Sequence, residues 1–335
     1  MAGFSYNILG LGTLARPNVR GIVGGGITAG GTNGGRIDSI EFFKFGSMGI
    51  QNSNFGDLAD DGTGQNLSND SAGVSSDTRG IFCTGRSMDN GRRNSMCFIT
   101  IATEGNATDF GDITANDTAP GSSNQTIGLI ASGFARFFAD TMETIEKITI
   151  ASTGDAVDYG DLTVGRFLNA ACGSPTLSIC AGGLTRSFSV LNTIDQKSFA
   201  SSGDATDFGD LVDPVLLASA ASSNTIGLFF GGSASFGGAG KDTIETLNIA
   251  STGNASDFGD LTSVHKFGCA NSNGRIAVIA IGWTGNDRST AVNTMDQCMF
   301  ASSGNATDFG DLTVASGLHH HGQISEGHGG LASPQ

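Results

Sequence analysis

Positive charge is scarce in this chain. Seventeen Lys and Arg face 32 Asp and Glu, for a formal net charge of −15. Binding to nucleic acid needs a basic stripe, so no nucleic-acid partner is expected. An acidic surface repels DNA and anionic membranes and favours solubility. Long apolar runs are missing: none approaches the ~20 residues of a membrane span, which argues against membrane insertion. A sustained 3.6-residue period is missing as well, which argues against long helices. The opening MAGFSYNILGLG has no basic segment ahead of an apolar core, so no secretory leader is expected. The six cysteines, Cys83, Cys97, Cys172, Cys180, Cys269 and Cys298, include no C-x-x-C pair. They stand where strands carry small or apolar residues. That is the pattern of free buried thiols in a reducing cytosol, with a single disulfide as the alternative.

Glycine, by contrast, is abundant at 52 residues, which speaks for many turns and short strands. One phrase organises the chain. ASSGNATDFGDL at 301–312 is matched by ATEGNATDFGDI at 102–113, ASTGDAVDYGDL at 151–162, ASSGDATDFGDL at 200–211 and ASTGNASDFGDL at 250–261. A worn copy ends in NFGDL at 54–58. The phrase aromatics are Phe55, Phe110, Tyr159, Phe208, Phe258 and Phe309, spaced by 55, 49, 49, 50 and 51 residues. A fixed period near 50 marks a repeat architecture. Six units fill residues 1–335 as one domain, with phrases ending near 58, 113, 162, 211, 261 and 312.

The unit at 265–312 shows the internal plan. HKFGCANS (265–272) is a short first strand, and Asn273-Gly274 is a two-residue hairpin turn with positive φ at both positions. RIAVIAIG (275–282) is an apolar run, as expected of a strand covered on both faces. NTMDQCMFA (293–301) is a third strand, SSGN a turn, and ATDFGDLT leads into a fourth. Sister segments fit: second strands at 20–26, 79–85, 126–133, 177–183 and 225–232, and third strands at 36–45, 94–102, 144–151, 193–200 and 243–250. In the third strand of the fifth unit, Leu247 and Ile249 share one face and Asn248 takes the other. The polar stretch 58–77 lengthens the first step and is read as a surface loop or insertion.

Four short strands per ~50 residues, six times over, predict an all-β chain: a six-bladed β-propeller with four-stranded blades. A lone blade leaves its faces bare, and a closed ring covers them all. The ring is expected to close by pairing of N- and C-terminal segments. TVASGLHHHGQIS, after the last phrase, aligns with a first strand, so residues 315–325 are the expected closing strand of the first blade. NILGLGTL at 7–14 is the competing candidate.

The glycine-rich exit of the second strand, followed by a third strand and a turn into the fourth, resembles a Kelch repeat. The usual Kelch tryptophan of the fourth strand is missing, and the phrase phenylalanine stands in that place by analogy. The phrase IASTGNATDFGDLT resembles repeat proteins of marine tailed phages, especially cyanophages, of virion structural or tail-fibre type, over about residues 50–313. The resemblance implies a noncatalytic virion protein, made in the host cytoplasm and carried on a tail or fibre for assembly or host attachment. It implies partners among other virion proteins, a host surface glycan or receptor, and further copies of the chain within the particle. The alternatives are a carbohydrate-binding propeller lectin and, third, a propeller enzyme.

Turns and phrases are nearly constant among the units, whereas the loops between second and third strands are not. In a propeller these loops share one face. They gather Arg86, Arg92, Arg93, Arg136, Phe137, Phe138, Arg186, Phe188, Phe236, Trp283 and Arg288, residue types that interfaces enrich. These form the candidate partner-binding face, against the plainer reading of ordinary solvated loops. No catalytic site is assigned. DFG recurs without a G-x-G-x-x-G or H-R-D loop, so it is not the kinase aspartate. The tyrosines that several propeller enzymes need are only Tyr6 and Tyr159. No cofactor is expected. Two metal questions stay open: Ca²⁺ at phrase pairs such as Asp158/Asp161, against plain turn bonding, and a transition metal at His319, His320 and His321 with His328.

Overall fold

The structure, a computed structural model, describes residues 19–28, 35–47, 53–59, 67–69, 72–87, 92–114, 116–117, 119–135, 143–280, 282–285, 288–317 and 324–331. It is an all-β ring of six four-stranded antiparallel blades, a six-bladed β-propeller. Blade 4 is typical, with Ala170–Gly173, Leu177–Ala181, Thr193–Ser198 and Thr206–Asp210 in sequence order from first to fourth strand. Blades 2, 3, 5 and 6 repeat this order. Blade 2 carries an additional short strand, Leu67–Asn69, from within the polar stretch, paired to the end of Arg79–Ser87.

Blade 1 draws on both ends of the chain. Its second to fourth strands are Arg20–Ile27, Arg36–Lys44 and Ser53–Asp57. On the free side of Arg20–Ile27, Gly21 bridges Ser325 and Ile27 bridges Gly317. The Ile22 N–H donates to the Ile324 carbonyl at 2.9 Å. The competing segment 7–14 lies outside the described residues.

The fourth strand is the phrase itself, Thr307–Asp311 in blade 6, rather than a segment following it. Each blade has a register break between third and fourth strands at the same place. In blade 4, Ile194 pairs with Gly209 and Asp195 with Asp207, so Phe208 is the extra residue of a β-bulge. The bulge turns the ring toward the next blade. Each of the six interfaces has its own apolar cluster, and one phrase aromatic sits in each. Phe208 packs with blade 5 residues Phe229 and Leu247 in one, and Phe309 packs with Phe43 in that between blades 6 and 1. The remaining four aromatics occupy the other four clusters. Burying one such ring contributes about 2–3 kcal/mol.

The turns between first and second strands differ from the sequence expectation. Asn273 does not take positive φ; only Gly274 does, at 78°. The turn has four residues. The Asn273 N–H donates to the Ile276 carbonyl at 3.2 Å, and Asn273 Oδ1 accepts from the N–H groups of Arg275 and Ile276 at 3.0 and 2.9 Å. Ser76, Asn124, Ser174 and Ser223 close the sister turns in the same way. Short polar side chains mimic a backbone turn here, so φ > 0 at the first position is unnecessary.

First strands line the central axis and carry small residues such as AACG, SAAS and CANS. Serine hydroxyls link neighbours. Ser272 Oγ donates to the Ser222 carbonyl and Ser325 Oγ to the Ser272 carbonyl, both at 2.6 Å. Ser75 Oγ donates to the Ser325 carbonyl at 3.2 Å and Ser123 Oγ to the Ser75 carbonyl at 2.9 Å.

The phrase glycine explains itself at Gly209. Its φ is 149°, and a Cβ there would collide with the carbonyl oxygen of Gly253 in the next blade. Gly209→Ala should therefore destabilise the ring by about 3 kcal/mol. A lowered midpoint in denaturant melts checks this; an unchanged midpoint refutes it.

Candidate functional site

The ring has two unlike faces. The turn face holds the constant segments, and in five of them an Asn or Asp side chain helps join one blade to the next. In the interface between blades 4 and 5, the Gly253 N–H donates to the Phe208 carbonyl at 2.9 Å and the Ala255 N–H to the Asp210 carbonyl at 2.8 Å. In return, the Asp210 N–H donates to Asn254 Oδ1 at 3.1 Å. The same three bonds join blades 1 and 2, 2 and 3, 3 and 4, and 5 and 6. The Gly-Asn-Ala or Gly-Asp-Ala part of one phrase thus covers the outer edge of the preceding blade.

A second contact backs this up. The third-strand acid of each next blade accepts the N–H that follows the phrase leucine or isoleucine. Asp296 Oδ2 accepts from the Thr262 N–H at 2.8 Å, Glu245 from Val212 at 2.8 Å, Asp195 from Thr163 at 3.1 Å, Glu146 from Thr114 at 3.0 Å and Glu41 from Thr313 at 3.2 Å. Burial pushes Asp296, Glu245 and Glu41 above the usual carboxylate range, and the donated N–H groups work against that rise. Blade 2 has Cys97 in the acid's place. Burial pushes its thiol up to about 12, and a bond from the Ala59 N–H opposes the rise. The other thiols are buried too, with Cys180 and Cys298 also pushed up to about 12. All six are unpaired and held protonated, which makes them poor nucleophiles.

These bonds bear on the plainer reading of the phrase acids, that of turn bonding. Several of the Asp and Asn oxygens in the phrases accept backbone N–H groups. Asp158 Oδ1 accepts from Gly160 at 3.0 Å, and Asp204 Oδ1 from Asp161 at 3.1 Å. Among the described residues no group of three or more His, Cys, Asp or Glu side chains is arranged to hold a metal. His319, His320 and His321 lie outside the described residues. Tyr159, the one tyrosine in a phrase, is buried, and its hydroxyl donates to the Phe199 carbonyl at 2.8 Å.

The opposite face carries the loops between second and third strands. In blades 4, 5 and 6 the loop starts as a short continuation of the blade: Leu184 bridges Phe167 and Val190, Ser233 bridges Leu216 and Gly240, and Trp283 bridges Lys266 and Ala291. The loops of blades 4 and 5 then close in tight turns. The Phe188 N–H donates to the Thr185 carbonyl, and the Gly238 N–H to the Ser235 carbonyl, both at 2.9 Å. Phe188 and Phe236 stand out from these tips, 57% and 64% exposed. Their rings meet edge to face across the gap between blades, with centroids 6.2 Å apart. Phe188 has φ 62°, uncommon for a bulky residue. Arg186 is exposed on the same turn. Lys266 Nζ, from the connection into blade 6, donates to the Gly238 carbonyl at 2.7 Å and fixes the neighbouring loop. Burial lowers the pKa of this lysine.

The other expected contact residues fall differently. Trp283 is buried, not displayed, and its ring packs on Phe267 at 4.6 Å between centroids. The backbone places Arg86 and Arg92 opposite each other, with Arg93 next to them, where two long strands of blade 2 meet the loop. Arg288 begins a short 3₁₀ turn in blade 6. Arg136, Phe137 and Phe138 lie outside the described residues. The structure thus brings Phe188 and Phe236 together, with Arg186 beside Phe188.

Sequence reasoning passed over Arg166, which lies under this face. It is fully buried, pairs with Asp195 at 2.5 Å and donates from Nη1 to the Thr193 carbonyl at 3.1 Å. Leu168, Leu217 and Phe267 were missed as well. They take φ near 60° at equivalent positions, and successive N–H groups donate to the carbonyl of the preceding blade's residue.

No model of a known protein family matches the chain, and a search of curated proteins finds no relative. The likeness to phage repeat proteins therefore rests on the repeat phrase.

Two outcomes follow from this geometry. Because no group of three or more ligating side chains gathers among the described residues, adding Ca²⁺ or EDTA should leave the melting temperature unchanged; a rise with Ca²⁺ would show an occupied site. Arg166→Met should cost about 3 kcal/mol in denaturant melts, since it leaves the Asp195 carboxylate buried without its cation.

Proposed function

We propose that the protein is a noncatalytic virion component of a tailed phage, carried on the tail or a fibre, that works as a rigid binding module. Its loop face contacts another virion protein or the host surface. The observation that carries this reading is the contrast between faces. The turn face carries the same blade-joining bonds in five interfaces, whereas the loop face differs from blade to blade and displays the Phe188–Phe236 pair. Binding residues on variable loops held by a rigid scaffold are a common arrangement. The repeat phrase supplies the phage assignment.

A second reading, a carbohydrate-binding propeller, is favoured by the same aromatic pair among the hydroxyls of Thr185, Ser187 and Ser189. It requires one unequal site at blades 4 and 5. Six equivalent sites do not suit loops as different as LTRSFSVLN and SASFGGAGKD.

Particles purified by density gradient should contain the chain when analysed by mass spectrometry, and its absence overturns the phage assignment. Phe188→Asn combined with Phe236→Ser should weaken attachment to the partner by about tenfold or more. Stability should stay within about 0.5 kcal/mol, because both rings are exposed. Asparagine at 188 keeps a residue that tolerates positive φ. Unchanged attachment by the double variant would move the contact away from this corner.

A further inference from the structure

The central channel is crossed at the turn face by the chain's own C-terminal segment. Residues 324 and 325 take the inner position of blade 1, and residues 326–331 then pass over the channel mouth. Gly327 lies against Asn273 of blade 6 and Gly329 against Ser223 of blade 5. Gly330 lies so close to the Ser123 carbonyl of blade 3 that any Cβ would collide with it. His328 reaches blade 2, where Nε2 donates to the Ser75 carbonyl at 2.9 Å. The other ring nitrogen, Nδ1, accepts from the Gly330 N–H at 3.1 Å. The imidazole is 2% exposed and Leu331 is buried beside it. One hexapeptide thus touches four blades through a glycine-rich backbone that fits no bulkier sequence.

We propose that residues 326–331 form a strap that closes the turn-face mouth of the channel, with His328 as an acid-sensitive latch that lets the strap leave while the blades stay folded.

The chemistry of the latch follows from its two bonds. Both need a neutral ring: one nitrogen gives a proton to Ser75 and the other takes one from Gly330. Protonation turns Nδ1 into a donor facing a donor and places a charge where water does not reach. The elements packed on the ring present no compensating charge. Blade 2 offers the Ser75 carbonyl and blade 3 the Ser123 hydroxyl, 3.4 Å from Nε2. The nearest titratable residues along these elements are Asp77 and Arg79 beyond Ser75, and Glu326 on the strap itself, where it accepts from the Arg20 N–H at 3.3 Å. Burial, opposed by the Ser75 bond, holds the seated imidazole down to about 4.

The direction of the pH effect is fixed by linkage. A released imidazole takes its ordinary pKa near 6.5, so between there and about 4 the released strap binds more protons than the seated one. Stability of the seated strap is full above that window and falls as pH drops through it. The opening constant should rise about tenfold per pH unit, roughly 300-fold in all, and level off below about 4.

Hydrogen exchange on the full-length protein, followed by mass spectrometry from pH 7.5 to pH 4 and corrected for intrinsic rate, reads this directly. Protection of 326–331 should fall across the window while Ile226–Phe230 and the far-ultraviolet circular dichroism stay unchanged. His328→Asn, a neutral side chain with a donor and an acceptor, should abolish the pH slope. Gly330→Ala should expose the strap at every pH. The proposal is overturned if protection of 326–331 is flat with pH, falls together with the blade strands, or keeps its slope in His328→Asn.

Discussion

The ring depends on the close passage of one backbone past another. At Gly56, Gly111, Gly160, Gly209 and Gly259, the outer strand of a blade comes so near the turn of the next that a Cβ would collide with a carbonyl. That approach lets two N–H groups and one Asn or Asp oxygen bridge the gap, and the bulge beside it sends an aromatic ring into the interface. Hydrogen bonding, side-chain burial and backbone conformation are thus satisfied by the same few residues. A phrase under three simultaneous demands has little room to vary, whereas the described loop tips on the other face join no neighbouring blade in this way. The same contact occupies the outermost strand of each joined blade, the place where an open sheet would offer unpaired groups to another chain.

Some of this was legible in the sequence. The period of the phrase aromatic located the blades, and apolar runs such as RIAVIAIG located the strands covered on both faces. The partners of the phrase were not legible, because they lie through space: Asn254 serves Asp210, and Asp296 serves Thr262, 34 residues earlier. Local pattern alone suggested a self-contained turn or a cation site. Cys97 shows a signal that was available. It stands where the other third strands carry Glu or Asp, and it faces Ala59 where most phrases have threonine or valine. The turn at Asn273 was misread for a related reason, since an asparagine before glycine suits two turn types and only the bonds of its side chain separate them.

On the loop face, residue type was a poor guide to display. Trp283, the largest aromatic, is buried against Phe267, whereas the smaller rings of Phe188 and Phe236 stand in solvent. The difference lies in loop construction. Trp283 is the middle residue of a short three-segment extension of the blade and packs inward, while the two phenylalanines belong to turn tips beyond that extension. Arg166 follows the same logic beneath them: its guanidinium is held by Asp195 and organises the base on which those tips rest.

The composite first blade has a consequence for how the ring comes into being. Ile22 and its partner Ile324 are separated by almost the whole chain, so their pairing closes a very long loop. The entropy of such a closure grows only slowly with length, which makes it affordable once the blades between them have stacked and shortened the distance. Blades 2 to 6 are each built from one continuous stretch of sequence, whereas blade 1 takes its inner position from residues 324 and 325. A chain whose residues 324 and 325 are not yet in place lacks that partner along Arg20–Ile27, and a strand of a neighbouring chain could pair there instead.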